Sequence, residues 1–151
     1  MRNHMNIKFD AKSENESLAR MTVAAFMMNM NPTVDELEDV KTAVSEAVTN
    51  AIIHGYGQEE IQTNQQEEKQ VELICTKEGV KLEIIVIDYG VGIENIEEAK
   101  QPFYTTKPDM ERSGMGFVFM ETFMDSLEVQ SRVGEGTKVT MTKYIAGECE
   151  Q

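Results

Sequence analysis

The 151-residue chain has no apolar run of about 18 residues, the length a membrane-spanning helix needs, and its N-terminal stretch MRNHMNIKFD has no apolar core of the kind a secretion signal carries. Both absences predict a cytoplasmic protein that does not enter a membrane. It has only two cysteines, Cys75 and Cys149, far apart and without C-x-x-C spacing, so neither a disulfide framework nor a zinc site is indicated. Cys75 lies in an apolar run and reads as core; Cys149 lies in a polar tail. Basic residues are in deficit, 14 against 27 acidic ones, for a net charge of −13. Such a surface repels a phosphate backbone, which argues against direct nucleic-acid binding. There is no G-x-x-x-x-G-K-[ST], so no P-loop, and neither H-R-D nor D-F-G, so no eukaryotic-type protein kinase. No internal repeat is visible.

The length fits one domain, residues 1–151, with a surface-to-volume ratio that allows a core without metal or disulfide staples. Residues 6–9 alternate as a short edge strand. Ser13 and Glu16 have capping-box spacing, opening a helix whose apolar face is read as Leu18, Met21, Thr22, Ala25, Phe26 and Met28. Asn31-Pro32 ends it. Thr33 and Glu36 make a second capping box, and Leu37, Val40, Val44, Ala47, Val48 and Ala51 continue at helical spacing up to Gly55. Residues 57–70 are polar and read as a mobile loop. Strands are expected at 71–76 and 80–87, the second apolar at four successive positions and therefore central in the sheet. After a loop with Gly90 and Gly92 comes a long segment, about 94–113. A helix is expected at 116–126, with Phe117, Met120, Phe123 and Met124 inward, then strands at 127–133 and 137–144 around Gly134-Glu135-Gly136. Without strict βαβ alternation the class is α+β: a mixed sheet covered on one face by helices.

Four features carry chemistry. Glu46, Asn50 and His54 are four residues apart and share one face of the second helix. A polar stripe is ordinarily a solvated face, but Ala47, Ala51, Ile52 and Ile53 around it leave little room for water. A carboxylate and an amide oxygen placed there suit a general base and a neutral Mg²⁺ ligand. Asp88-Tyr89-Gly90-Val91-Gly92 follows the most apolar strand, and a buried Asp is costly unless it accepts strong hydrogen bonds; a plain strand-to-loop turn is the other reading. Arg112-Ser113-Gly114-Met115-Gly116 opens a helix whose N–H groups can cradle an anion, or is a glycine hinge. Gly134-Glu135-Gly136-Thr137 is ordinarily a hairpin turn.

In this order and spacing, E-x-x-x-N, D-x-G-x-G, G-M-G and a late G-T resemble the nucleotide site of the GHKL ATPase/kinase superfamily, the Bergerat fold, over about residues 6–145. The segments at 13–17, 44–56 and 101–108 are further similar to the anti-sigma-factor serine kinases of spore-forming bacteria. Tyr89 departs from that pattern, standing where an acidic residue is common, and the 57–70 loop is longer and more polar.

The resemblance implies an anti-sigma factor, a homodimer that binds a sporulation sigma factor and uses Mg-ATP to phosphorylate a serine of an antagonist protein. By that likeness Asp88 accepts from the adenine amino group, and Gly90 and Gly92 let the loop lie against the base. Asn50 holds Mg²⁺, and Gly114-Met115-Gly116 holds the phosphates with Ser113. Thr105, Thr106, Lys107 and Arg112 belong to an ATP lid at 94–113, Thr137 bonds near the base, and Glu46 is the catalytic base. His54 reads either as a phosphate neighbour or as a packed structural histidine. Arg20 on the first helix is a candidate partner contact, or else an i,i+4 partner of Glu16. A nucleotide-gated sigma-factor-binding module without kinase activity is the competing class, and a bare ATPase the third.

Overall fold

The computed structural model describes residues 2–56, 69–102 and 115–147. Five strands, β1 (Arg2–Asp10), β2 (Gln70–Glu78), β3 (Lys81–Asp88), β4 (Ser126–Arg132) and β5 (Gly136–Tyr144), form one sheet in the order β1-β2-β3-β5-β4. Helices α1 (Asn15–Met27), α2 (Val34–Asn50), α3 (Ile96–Ala99) and α4 (Gly116–Phe123) complete the α+β architecture. The strand at 6–9 is indeed an edge strand, though longer than expected, and β3 is central.

The sheet is not mixed. Every pairing is antiparallel, because β2–β3 and β4–β5 are hairpins closed by short turns and β5 returns against β3 in the same sense. An antiparallel sheet can leave one face open, and here the burial alternates accordingly. Leu82, Ile84, Val86 and Asp88 of β3 are buried on the helix side, whereas Lys81, Glu83, Ile85 and Ile87 point to the other. The core joins these positions to Val71, Leu73 and Cys75 of β2, Val40, Val44 and Val48 of α2, Met120 and Met141. Cys75 is fully buried, and burial pushes its thiol up to about 12.

Two expectations about α1 fail. No capping box forms at Ser13: Glu14 is the N-cap, already in helical conformation and with no side-chain bond, because a turn from Lys12 to Asn15 precedes it. A capping side chain needs extended backbone at that position. The buried face is also different, carrying Ala19, Val23, Ala24 and Met27, while Leu18, Met21 and Met28 are half-exposed or more. Ala19 and Ala24 let α1 lie close to α2 and β2, Val23 and Met27 fill the core beside them, and Leu18 and Met21 are turned outward. At its other end α4 stops at Phe123, three residues short of the expected limit, since Ser126 already pairs with β5.

The second capping box does form. Thr33 is extended, its Oγ1 accepts the Glu36 N–H (3.1 Å), and the Glu36 carboxylate accepts the Thr33 N–H (2.9 Å). The same carboxylate accepts the Ala146 and Gly147 N–H groups (2.7 and 3.1 Å), tying the end of the described chain to the start of α2. Partial burial raises its pKa, but these bonds outweigh that and hold it below the ordinary 4.5. A carboxylate depressed in the folded state stabilises above its unfolded pKa and loses that contribution as pH falls through the folded one. Glu36→Gln is therefore expected to lower stability by about 1–2 kcal/mol at pH 7. The deficit, read from urea denaturation, should shrink as pH drops below about 4.5; a deficit that does not change with pH would count against it.

Candidate nucleotide site

β3 places the site. Strand periodicity puts Asp88 on the same inward face as Ile84 and Val86, so the last residue of the central strand is a carboxylate only 5% exposed. It accepts the Gly90 N–H (3.0 Å) and a backbone bond from Thr137, its neighbour on β5. Burial outweighs those bonds and raises its pKa to about 6. The carboxylate forms part of the wall of a cavity of about 420 Å³, within the roughly 300–1,000 Å³ usual for small-molecule sites. Val86, Val139, Ala47, Ala51 and Ile93 make much of that wall apolar.

The helix that begins at the Thr33 cap reaches the cavity at its other end. Beyond Asn50 it continues as a π-helical turn, Ala51–Gly55, and Asn50, His54 and Gly55 line the cavity. Such wide turns recur at functional sites. Gly55 lies against Asp88, where a Cβ would come 2.6 Å from the carboxyl carbon. Gly90 lies against Gly55 in turn, with room for no side chain (1.8 Å to the Gly55 carbonyl oxygen). Its lack of a side chain serves this approach of two backbone segments within the chain, and it does not line the cavity. Gly92 lines it with a positive φ of 77°.

Glu46 and Asn50 meet the start of α4. A Cβ on Gly116 would stand 2.9 and 3.1 Å from the Asn50 amide atoms and 3.3 Å from Glu46 Oε2. The second glycine of G-M-G thus clears space for these side chains, a requirement separate from exposing N–H groups. Met115 is the N-cap of α4, and Thr137 is buried and lines the cavity beside Asp88. The structure therefore brings Glu46, Asn50, Asp88, Gly92, Gly116 and Thr137 together. Thr105, Thr106, Lys107, Arg112, Ser113 and Gly114 lie outside the described residues, as do 57–68 of the polar loop; of the segment 94–113, residues 94–102 are described and include α3.

Tyr89 is turned away from the cavity. Its hydroxyl donates to Glu72 Oε1 on the open face of the sheet (2.7 Å), and Asn6 Nδ2 donates to the other carboxylate oxygen (2.9 Å). The bond to Glu72 is the main cause that pushes the Tyr89 phenol up to about 12, while bonds from Tyr89 and Asn6 lower the Glu72 pKa. Arg20 is half-exposed and pairs with Glu16 at 3.5 Å, the i,i+4 arrangement. The sequence reading missed Tyr56, whose hydroxyl accepts the Tyr89 N–H (2.8 Å), and Ser131, whose hydroxyl accepts the Ile93 N–H (2.7 Å). The position of Ser131 opposite Thr137 across the Gly134–Gly136 turn is the one signal that points to it.

Comparison with known proteins gives the family. Residues 9–143 match the model of the histidine kinase-like ATPase domain. The chain is 52% identical to the anti-sigma F factor of Priestia megaterium over 145 residues, covering 96% of this chain and 95% of that one. It is 56% identical to the anti-sigma F factor of Clostridium perfringens, covering 96% and 99%. The chain belongs to the histidine kinase-like ATPase family, among the anti-sigma F factors. Its fold is also that of a solved structure of the RsbU and RsbW domains of a Mycobacterium tuberculosis protein, with a TM-score of 0.65 at 16% identity over 99% of this chain and 35% of that one. An ATPase domain implies nucleotide binding. Among the described residues no helix is long and apolar enough to cross a membrane.

Asp88 yields a stability prediction with a definite sign. Its folded pKa of about 6 lies above the ordinary 3.8, so its contribution is full below about 4 and is lost as pH rises through about 6. Asp88→Asn removes the charge and is expected to raise the stability of the ligand-free chain by about 1–3 kcal/mol at pH 7.5. No gain is expected at pH 4. Paired urea titrations at the two pH values check this, and a variant less stable at both contradicts it.

Proposed function

We propose that the chain is a cytoplasmic, homodimeric anti-sigma factor that binds Mg-ATP in this cavity, inhibits a sporulation sigma factor and phosphorylates a serine of an antagonist protein. The observation that carries the reading is a buried carboxylate acceptor in a largely apolar cavity that Asn50 and Gly116, the first residue of α4, also line, with Glu46 beside Gly116. The sigma-factor half rests on relatives that are anti-sigma F factors at 52–56% identity over nearly their whole length.

The residues present fit a nucleotide. An adenine would lie against Val86, Val139 and Ala51, its exocyclic amine facing Asp88, whose negative charge a donor partner offsets. Mg²⁺ takes few protein ligands and favours oxygen, which suits the Asn50 amide. When bound, it would neutralise the developing charge on the phosphates. Glu46 lies one helical turn before Asn50, where its carboxylate would take the proton from the attacking serine hydroxyl. The serine oxygen gains the γ-phosphoryl group as the bond to the β-phosphate oxygen breaks, and ADP leaves. Phosphoryl transfer is mainly positioning and electrostatic stabilisation, so a small domain is sufficient. To Lys107 and Arg112, with Thr105, Thr106 and Ser113, we assign the handling of phosphate charge, and to Arg20 a contact with a protein partner.

The test is transfer of γ-labelled phosphate from Mg-ATP to a candidate antagonist. Acid-stable label on a serine is expected with the native chain, falling about 10²–10⁴-fold in Glu46→Gln. Asp88→Asn is expected to lose ATP binding altogether. Tight ATP binding with no label on protein would replace the kinase by a nucleotide-gated clamp, and free phosphate alone by an ATPase.

A further inference from the structure

We infer that two hydroxyl groups outside the recognised motifs, those of Tyr56 and Ser131, are positioning groups that set the site's preference for a purine with a 6-amino group. The inference rests on the nucleotide reading above and concerns how the base is selected.

The loop after Asp88 has no slack. Its N–H groups at Tyr89, Gly90, Val91 and Ile93 donate in turn to Tyr56 Oη (2.8 Å), Asp88 Oδ1 (3.0 Å), the Gly55 carbonyl (2.8 Å) and Ser131 Oγ (2.7 Å). Two of the four acceptors are side-chain hydroxyls, one at each end of the loop. Tyr56 uses its single proton on the Gln70 carbonyl (2.5 Å), so it meets Tyr89 with a lone pair and links the loop to β2. The Val91 carbonyl also accepts the Gly134 N–H (2.8 Å), which joins the loop to the β4–β5 turn. Displacing either end therefore displaces Asp88, whose carboxylate accepts the Gly90 N–H of the same loop and lies against Gly55.

Ser131 acts on the base in a second way. Its one proton goes to the Gly136 carbonyl (2.9 Å), so the proton in its contact with Thr137 Oγ1 (2.8 Å) belongs to Thr137. Thr137 then meets a ligand as an acceptor, as Asp88 does. Two acceptors side by side match the two protons of an exocyclic amine and oppose a 6-oxo group, which would face them with its own lone pairs.

Inosine triphosphate differs from ATP at that group and is the probe. With Mg²⁺ present, calorimetric affinities for both nucleotides are compared for the native chain, Tyr56→Phe, Ser131→Ala and Ser131→Thr. Tyr56→Phe keeps the ring and Ser131→Thr keeps the hydroxyl. The native chain is expected to prefer ATP, and each hydroxyl deletion to reduce the ATP-to-inosine-triphosphate affinity ratio by about 3–10-fold, with Ser131→Thr restoring it. A general loosening of the fold would weaken both nucleotides alike, and an unchanged ratio of that kind overturns the inference. So does a native chain that binds the two equally. A native chain that binds neither overturns the nucleotide reading itself.

Discussion

A carboxylate buried at the end of the central strand is the constraint on which the rest of this structure depends. An ionised group with little access to water must be bonded or must give up its charge. Asp88 does part of each: it accepts from Gly90 and the backbone of Thr137, yet titrates near 6. Its surroundings follow from that position. Gly55 has no side chain because the carboxyl group fills the space, and Gly90 has none because the Gly55 carbonyl fills the next. The loop's N–H groups are then consumed one by one by neighbours already fixed in place. The remaining acceptor capacity of the carboxylate is the chemistry offered to a ligand.

The second helix carries this constraint from one end of the molecule to the other. Its start is fixed by the Thr33–Glu36 capping box and by the backbone of Ala146 and Gly147 after β5. Its middle is anchored in the core by Val40, Val44 and Val48, all without solvent exposure. With the helix so held, Glu46 and Asn50 reach α4 at positions where only glycine fits opposite them. The π-helical turn then brings Gly55 to Asp88. One element thus fixes the distance between the group that would read a base and the groups that would face phosphates, which is the preorganisation that positioning catalysis requires.

Much of this was legible in the sequence because the relevant patterns are periodic. The alternation of β3 and the helical spacing of Val40, Val44 and Val48 give both central elements, and the spacing of Glu46 and Asn50 gives their shared face. Where periodicity is ambiguous the reading failed. Around α1 the large residues Leu18, Met21 and Met28 outweigh Ala19 and Ala24 in any hydrophobic count, yet the buried face is Ala19, Val23, Ala24 and Met27. At Ser13 the capping pattern is present, but the preceding turn leaves Glu14 in the wrong backbone conformation to use it. A π-turn has no composition of its own, and Tyr56 and Ser131 act through bonds between segments distant in sequence. The sense of the sheet was misjudged because strand order, rather than strand content, determines it.

The two ends of the cavity obey different physics. Around Asp88 the wall is mostly apolar and the polar groups are few and fixed, so selection of a base there would rest on hydrogen-bond matching in a low-dielectric environment, where a mismatch is costly. Among the described residues that line the cavity none is lysine or arginine, and the whole chain carries −13. A triphosphate entering such a field would be repelled unless its charge were met locally, on the proposed assignment by α4's N–H groups, by a divalent cation at Asn50, and by Lys107 and Arg112, which precede α4 in the sequence. Selectivity for a base would thus rest on groups fixed by β3 and β5, whereas affinity for the phosphates would depend on added positive charge.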